Sequence, residues 1–181
     1  MKFRPVSRLR RRRARHSPSA ILVSGVFGLG LIGFSVVADP APTLVWNASA
    51  SAPIGLYRVM PGAITRGDLV LVRPPNAVAQ LAAERGYLPM GIPLIKRIAA
   101  VADDHVCAVE GRVTINGQAI GRQLRADGMG RPLPHWQGCE IIEPGALFLL
   151  MEDAETSFDS RYFGPVQDVN VIGKLAPLWV R

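Results

Sequence analysis

The stretch VTINGQAI, residues 113–120, predicts a β-hairpin. Asn116-Gly117 at its centre is the pair that two-residue hairpin turns favour, because both turn positions need a positive φ. β-branched and apolar residues stand on both sides of this turn, as they do in strands. The hairpin therefore indicates a β-rich domain with antiparallel strands.

Short apolar runs bounded by Gly and Pro extend this pattern in both directions from the hairpin. The strand candidates are residues 68–73, 94–98, 113–115, 118–120, 146–150, 169–172 and 178–180. Residues 77–85 read as a helix, because apolar residues recur there at helical spacing behind Asn76, a capping residue. Residues 121–138 contain Gly and Pro turns and predict a long surface loop or a small insertion. A chain of 181 residues thus fits one mainly β domain with a short appendage.

The appendage is the apolar run AILVSGVFGLGLIGFSVVA, residues 20–38. As a helix it would span about 28 Å, close to the hydrocarbon thickness of a bilayer. Eight Lys and Arg residues lie within the first fifteen positions and, by the positive-inside rule, place the N-terminus in the cytoplasm. We therefore expect a basic cytoplasmic segment (1–19), a transmembrane anchor (20–38) and a periplasmic β-rich domain (39–181). The protein would be a single-pass protein of the inner membrane.

A cleavable signal peptide is the alternative for the same run. Its last residues, Val36-Val37-Ala38, loosely resemble the small-x-small site of signal peptides. The apolar core of a cleaved signal is usually about 7–15 residues, which is shorter than this run. The length therefore favours an uncleaved anchor.

The net charge of +7 is concentrated at the N-terminus. From Ser17 onward, 13 basic residues face 14 acidic ones, so the rest of the chain is nearly neutral. Membrane topology explains the basic block, and we do not expect nucleic acid among the partners.

The stretch NASASAPIGLY, residues 47–57, raises the question of whether Ser51 acts as a nucleophile or belongs to a flexible stalk. A serine hydroxyl reacts only when a base takes its proton. The histidines do not suit this role: His16 lies on the cytoplasmic side, and His105 and His135 lie in predicted turns and irregular chain. Lys96 lies inside an apolar strand pattern, where burial would lower its pKa and make it a base. Strand alternation alone leaves the opposite reading open, with Lys96 pointing into solvent.

Three blocks of sequence resemble the ordered motifs of membrane-anchored signal peptidases of the Ser-Lys type. The blocks are SASAPIGLYR (49–58), LIKRIAAVADD (94–104) and SFDSRYFGPV (157–166). The S-x-P-x-G-L-Y form of the first block is similar to the TraF-type branch, the conjugative-transfer peptidases that mature a pilin precursor. The resemblance covers the chain from the predicted anchor to the C-terminus and implies a signal-peptidase-like antiparallel β domain.

This resemblance also implies roles for six residues. Ser51 would be the nucleophile, Lys96 its base, and Ser49 would help the Ser51 backbone N–H to hold the oxyanion. Ser157 matches a residue that hydrogen-bonds the catalytic amine, and Asp159 and Arg161 match a pair that supports the site. An aspartate is itself implicated in activity in the TraF-type branch, so a direct role for Asp159 stays open.

The two cysteines, Cys107 and Cys139, would both lie outside the cytoplasm, where disulfides persist. A bridge between them is the favoured reading, and free thiols are the alternative. With His105 and His135 they also offer four zinc ligands, but H-x-C is poor spacing for a structural zinc site. We therefore expect no metal and no cofactor.

The resemblance implies a serine endopeptidase that processes a secreted or membrane-inserted precursor, such as a conjugative pilin. Its partners would be that precursor, the membrane and proteins of the conjugation apparatus. The acyl-enzyme could be resolved by water or by the substrate's own amine, which would give a cyclic product. A non-catalytic, membrane-anchored assembly subunit of a secretion or conjugation apparatus is the alternative from another class.

Overall fold

The computed structural model of the protein describes residues 17–38 and 41–181. The chain divides into two compact units, one up to Ala41 and the other from Pro42 to Arg181. The predicted basic segment, residues 1–19, lies outside the described residues as far as residue 16.

The first unit contains helix α1 (Pro18–Ala38), which covers the apolar run. Its large apolar side chains, such as Phe27 and Leu29, are solvent exposed. Across residues 17–38 and 41–181, no helix is both long enough and apolar enough to cross a lipid bilayer. The transmembrane anchor stays a prediction.

The second unit is mainly β, and its named strands all pair antiparallel, which confirms this part of the predicted fold class. In chain order the strands are β1 (Leu44–Asn47), β2 (Gly55–Met60), β3 (Leu69–Val72), β4 (Leu94–Ala100), β5 (His105–Val109), β6 (Arg112–Ile115), β7 (Gln118–Arg122), β8 (Gly138–Ile141), β9 (Ala146–Leu150), β10 (Val166–Gln167) and β11 (Val171–Val180). The helices are α2 (Asn76–Glu84), α3 (Ser160–Phe163) and a 3₁₀ turn at Asp168–Asn170.

The strands form two sheets. The large sheet has the order β1-β2-β11-β3-β4-β9-β10, and the small sheet has the order β7-β6-β5-β8. In the large sheet β11 lies between the β1-β2 pair and the β3-β4 pair, so the last strand of the chain joins two hairpin-like halves. The small sheet contains the predicted hairpin, with Asn116 at φ +51° and Gly117 at φ +81°.

Strand β9 is buried along its whole length. Its side chains alternate between two clusters: Leu147 and Leu149 pack with β3, while Phe148 and Leu150 pack with the small sheet. An uninterrupted apolar run is the pattern expected of a strand covered on both faces, and ALFLL has that pattern. β9 therefore ties the two sheets to one core.

Gly55, at the start of β2, is required by a close approach of the backbone. A Cβ atom at this position would lie 2.1 Å from the carbonyl oxygen of Trp179 in β11. Only glycine allows β2 and β11 to approach so closely. The backbone N–H of Arg181 also donates to the carbonyl of Ile54, at 3.0 Å. The C-terminal strand thus fixes the chain immediately after the serine-containing loop.

Two predictions of local structure need correction. The N-cap of α2 is Pro75 and makes no side-chain capping bond, whereas Asn76 is the first helical residue. Proline fixes φ at a value that suits a helix start, so the turn begins without an Asx cap. The separate strands predicted at 169–172 and 178–180 are parts of a 3₁₀ turn and the single long strand β11.

Candidate active site

Ser51 lies in the connection between β1 and β2. Asn47 ends β1, Gly55 begins β2, and the two residues are paired across the sheet. Residues 48–54 must therefore turn back between adjacent strands, which leaves Ser51 half-buried at the end of the pair. Ser49 Oγ lies 3.1 Å from Ser51 Oγ, so the two hydroxyls are hydrogen-bonded.

Lys96 lies in β4 opposite Val70 of β3, and only 3% of it is exposed. The reading in which strand alternation turns Lys96 into solvent is wrong. Burial lowers the pKa of Lys96 to about 8, the carboxylate of Asp159 acts in the opposite direction, and the charge of Arg161 lowers the pKa further. The neutral amine that a general base requires is therefore far more accessible near neutral pH than it is for an ordinary lysine.

The amine of Lys96 contacts two of the three predicted serines of the site. Lys96 Nζ lies 2.7 Å from Ser157 Oγ and 3.4 Å from Ser51 Oγ. Ser157 is itself buried, with 4% exposure. A short bond to a buried hydroxyl fixes the direction of the amine and leaves its other side towards Ser51.

Ser157 is fixed in turn by the pair Asp159 and Arg161, whose side chains are 0% and 1% exposed. Arg161 Nε donates to Asp159 Oδ1 at 2.8 Å, and an η nitrogen donates to Oδ2 at 2.9 Å. The same η nitrogen donates to the carbonyls of Ser157, at 3.3 Å, and Ala154, at 2.8 Å. The guanidinium therefore connects the carboxylate to the backbone that carries the Lys96 partner.

Asp159 uses both carboxylate oxygens within the protein. Besides the bonds from the Arg161 side chain, it accepts a hydrogen bond from the backbone N–H of Met151 at 3.2 Å. As the N-cap of α3 it also accepts one from the backbone N–H of Arg161 at 3.3 Å. It acts on Lys96 through charge. This arrangement suits a bracing role for Asp159, which the resemblance had left open beside a direct one.

Two groups next to Ser51 Oγ are candidate donors to an oxyanion. One is the backbone N–H of Ser51, which has no hydrogen-bond partner among residues 17–38 and 41–181. The other is the hydroxyl of Ser49, which contacts Ser51 Oγ but donates to Asn47 Oδ1, so it would have to turn to reach an oxyanion. Preorganised donors of this kind stabilise the charge that develops on a carbonyl oxygen during acyl transfer.

A cavity of about 670 Å³ opens beside Ser51 and Lys96. Its walls are largely apolar, with side chains from α2, from the chain before β4 and from the third sequence block. These include Ala82, Leu88, Ile92, Leu133, Phe158 and Tyr162. An apolar cavity of this kind beside a serine hydroxyl can take the side chains of an extended peptide.

One wall of this cavity comes from residues 121–138, for which the sequence predicts a long surface loop or a small insertion. Leu133 is buried in it, and Asp127 accepts hydrogen bonds from the Tyr87 hydroxyl and from Arg131 Nε, the latter at 2.7 Å. These hydrogen bonds keep the pKa of Asp127 well below its usual range, and the bond from Tyr87 has the largest effect. The segment is therefore a fixed wall of the site.

Gln123 ties this wall to the third block. It is 8% exposed, and its amide nitrogen donates to the carbonyl of Trp136, at 2.7 Å, and to that of Arg161. A buried polar side chain of this kind leaves no apolar periodicity in the sequence. The available signals were Leu133 and Gln123, which stand isolated in a Gly- and Pro-rich stretch, and such signals are weak.

The remaining predicted residues lie outside the cavity wall. Cys107 and Cys139 face each other across β5 and β8 and form a disulfide with an S–S distance of 2.04 Å. His105 approaches Cys107 Sγ to 3.7 Å, but both sulfurs are committed to the bridge.

The chain matches known proteins over most of its length. Residues 17–179 match the family model described as signal peptidase, peptidase S26. A plasmid transfer protein TraF of Escherichia coli is 32% identical over 170 residues, which cover 88% of this chain and 93% of that protein. A conjugal transfer protein TraF of Agrobacterium fabrum is 34% identical over 172 residues, which cover 89% of this chain and 91% of that protein.

More distant similarity reaches proteins that carry the signal peptidase name. A signal peptidase I of Leptolyngbya laminosa is 28% identical over 109 residues, which cover 60% of this chain and 49% of that protein. Among solved structures, a signal peptidase I from Enterococcus faecalis is 19% identical, with a TM-score of 0.38, and covers 64% of this chain and 98% of that chain.

Proposed function

We propose, from the premise that the chain belongs to the signal peptidase family, peptidase S26, that it is a serine endopeptidase with a Ser51-Lys96 dyad. The observation that carries the proposal is the position of Lys96 Nζ, buried and within hydrogen-bond reach of both Ser51 and Ser157. Within the described part of the chain, residues 17–38 and 41–181, Lys96 forms no ion pair, although the carboxylate of Asp159 acts on it through charge. The amine of Lys96 is suited to accept a proton from a neighbouring hydroxyl.

In the acylation step the neutral amine of Lys96 takes the proton of the Ser51 hydroxyl. Ser51 Oγ then attacks the scissile carbonyl, and the bond to the leaving nitrogen breaks after the tetrahedral oxyanion has formed. The oxyanion receives hydrogen bonds from the Ser51 backbone N–H and the Ser49 hydroxyl, and losing one such donor typically costs about 10²–10³ in rate. The ammonium of Lys96 returns the proton to the leaving amine.

In the second step an acceptor attacks the Ser51 ester, with Lys96 again as the base. If water attacks, the product is the shortened linear protein. If the substrate's own amine attacks, the product is cyclic and contains one water less than the linear product. The same dyad serves both outcomes, so the mass of the product distinguishes them.

The proposed substrate is a pilin-like precursor of a conjugation apparatus. The support comes from the relatives named as transfer proteins and from the apolar cavity beside Ser51, which is suited to an extended apolar segment of a protein. Proteins of the conjugation apparatus would be further partners.

The proposal includes an inner-membrane location, with residues 20–38 as the anchor and the β unit in the periplasm. Its support is the apolar run and the eight basic residues before it. Alkaline extraction of membranes should leave the full-length chain in the pellet, and protease added to spheroplasts should digest the β unit. Release of the chain by alkali would contradict the anchor.

The experiment that tests the activity is the intact mass of a candidate pilin precursor co-expressed with the chain. The wild type should give a shorter product, while Ser51→Ala and Lys96→Ala should leave the precursor unchanged. Lys174→Ala is the matched control, because Lys174 is the other lysine after residue 20 and forms a surface pair with Asp68. Processing that survives Ser51→Ala would contradict the proposal and favour a non-catalytic assembly subunit.

A further inference from the structure

Asn47, the last residue of β1, lies under the turn that carries Ser51. It is 4% exposed and belongs neither to the proposed dyad nor to the pair Asp159 and Arg161 that supports Ser157. Its side chain nevertheless makes five hydrogen bonds, and all of them go to residues 49–53. A buried polar side chain with so many local partners organises the loop that it contacts.

The amide nitrogen of Asn47 holds the turn closed. Asn47 Nδ2 lies 3.1 Å from the carbonyl oxygen of Ser49, 2.9 Å from that of Ala52 and 3.0 Å from that of Pro53. These three carbonyls lie on both sides of Ser51. The amide therefore fixes the two halves of the turn relative to each other and sets the position of Ser51 between them.

The amide oxygen of Asn47 binds Ser49 twice. It accepts from the backbone N–H of Ser49 at 3.0 Å and from the Ser49 hydroxyl at 2.9 Å. The orientation of the amide group is unambiguous, because an N–H can only donate and the three carbonyls can only accept. The atom facing Ser49 must be the oxygen, and the atom facing the carbonyls must be the nitrogen.

This orientation fixes the direction of the hydroxyl chain. The single hydroxyl proton of Ser49 points to Asn47 Oδ1, so in the 3.1 Å contact with Ser51 the Ser49 oxygen accepts and the Ser51 hydroxyl donates. In this arrangement Ser49 has no proton to offer to an oxyanion. It gains that capacity when its hydroxyl turns away from Asn47, while its backbone N–H keeps the loop attached.

We propose that Asn47 is a positioning residue for the reaction at Ser51, which holds the nucleophile turn and keeps the Ser49 hydroxyl proton until the oxyanion forms. The inference rests on the proposed function, because it assigns Asn47 a part in that reaction. Asn47 acts through Ser49 and the turn, and it does not need to touch the reacting atoms.

The first test measures amide hydrogen exchange in the full-length chain and does not depend on activity. The Ser49 amide should exchange slowly in the wild type and much faster in Asn47→Ala, because its acceptor is gone. Asn76→Ala, at the exposed start of α2, is the matched control and should exchange like the wild type. Unchanged protection of Ser49 in Asn47→Ala would overturn the inference.

The second test measures the rate at which a fluorophosphonate labels Ser51 in the full-length chain. Asn47→Ala should label about 10²-fold more slowly, the cost typical of a misplaced reacting group. The double variant Asn47→Ala/Ser49→Ala should lose much less than the product of the two single losses, because the two residues act as one unit. A merely structural Asn47 predicts losses that multiply.

The outcomes separate this inference from the proposed function. Wild-type labelling rates in Asn47→Ala, or losses that multiply in the double variant, would overturn the positioning role and leave the peptidase intact. A wild type that neither labels at Ser51 nor processes a precursor would overturn the proposed function, and with it the role of Asn47 in the reaction. Faster exchange at Ser49 would then still support the structural half, the holding of the turn.

Discussion

The side chains of Asp159 and Arg161 form two hydrogen bonds with each other in a place where neither side chain is more than 1% exposed. They lie two residues apart, one as the cap of α3 and the other within it. Each charge is compensated by the other and by backbone groups, and the pair supports the carbonyl of Ser157. Removing only one member of this pair should therefore destabilise the fold.

Arg161→Met should destabilise the protein by about 3–5 kcal/mol, because it leaves the carboxylate of Asp159 buried without its partner. The free energy of unfolding of the full-length chain in urea would measure this loss. Arg66→Met is the control, since Arg66 is half exposed in its pair with Asp104. If the double variant Asp159→Leu/Arg161→Met lost as much free energy of unfolding as the two single variants together, the two residues would not be coupled.

The rate of acylation should depend on pH through Lys96. The amine must be neutral to accept a proton, so kcat/KM should rise with pH and level off above a midpoint near the pKa of about 8. Since the charge of Arg161 lowers this pKa, Arg161→Met should move the midpoint upward, provided that the variant folds. A flat profile between pH 6 and 10 would exclude Lys96 as the base.

Lys96→Met should abolish processing and stabilise the protein at neutral pH. In the folded state the lysine has a pKa of about 8, whereas the unfolded chain has the ordinary value near 10.4, so the unfolded state binds the proton more tightly. Burying the Lys96 ammonium therefore lowers the free energy of unfolding of the wild type by about 3 kcal/mol. This loss is fully present below pH 8 and disappears as pH rises through about 10.4. Urea unfolding at pH 7 and pH 10.5 would measure the difference. Lys174→Met, which breaks a partly exposed pair, should change stability by less than about 1 kcal/mol, and a similar gain there would refute the burial argument.

Gly55→Ala should disrupt the pairing of β2 with β11. The new Cβ would lie 2.1 Å from the Trp179 carbonyl oxygen, so backbone must move, and overpacking of this kind typically costs about 1–3 kcal/mol. Thermal unfolding of the full-length chain would show the loss. At Gly128 a Cβ meets nothing within 4 Å, so Gly128→Ala should unfold like the wild type. Equal stability of both variants would show that the two strands separate at little cost.

The sequence predicts the β class well where local patterns are strong. Asn116-Gly117 forms the expected hairpin turn, and the apolar run at 146–150 is a strand with both faces buried. β1 was not predicted, because in the four residues LVWN the buried member is a polar Asn and the exposed members include Leu and Trp. A period-2 apolar signal is absent from such a strand, and only its pairing with β2 defines it.

The sequence likewise predicted some residues of the candidate site and missed others. The three motif blocks gave the residues that meet around Lys96, and the resemblance to signal peptidases is confirmed. The supporting residues Asn47 and Gln123 were missed, because an amide that binds backbone carbonyls leaves no pattern of spacing. The wall formed by residues 121–138 was missed for a related reason: it is held by a few hydrogen bonds around Asp127 and by one buried leucine.

The place of β11 in the large sheet has a consequence for how the protein is made. The hairpin that carries Ser51 and the strands that carry Lys96 are not neighbours, since β11 lies between them. As the chain leaves the ribosome, both halves exist long before residues 171–180 are synthesised, yet nothing in the sheet joins them until that strand arrives. The nascent chain would therefore hold Ser51 and Lys96 apart, and the proposed dyad would assemble only when residues 171–180 have paired with β2 and β3.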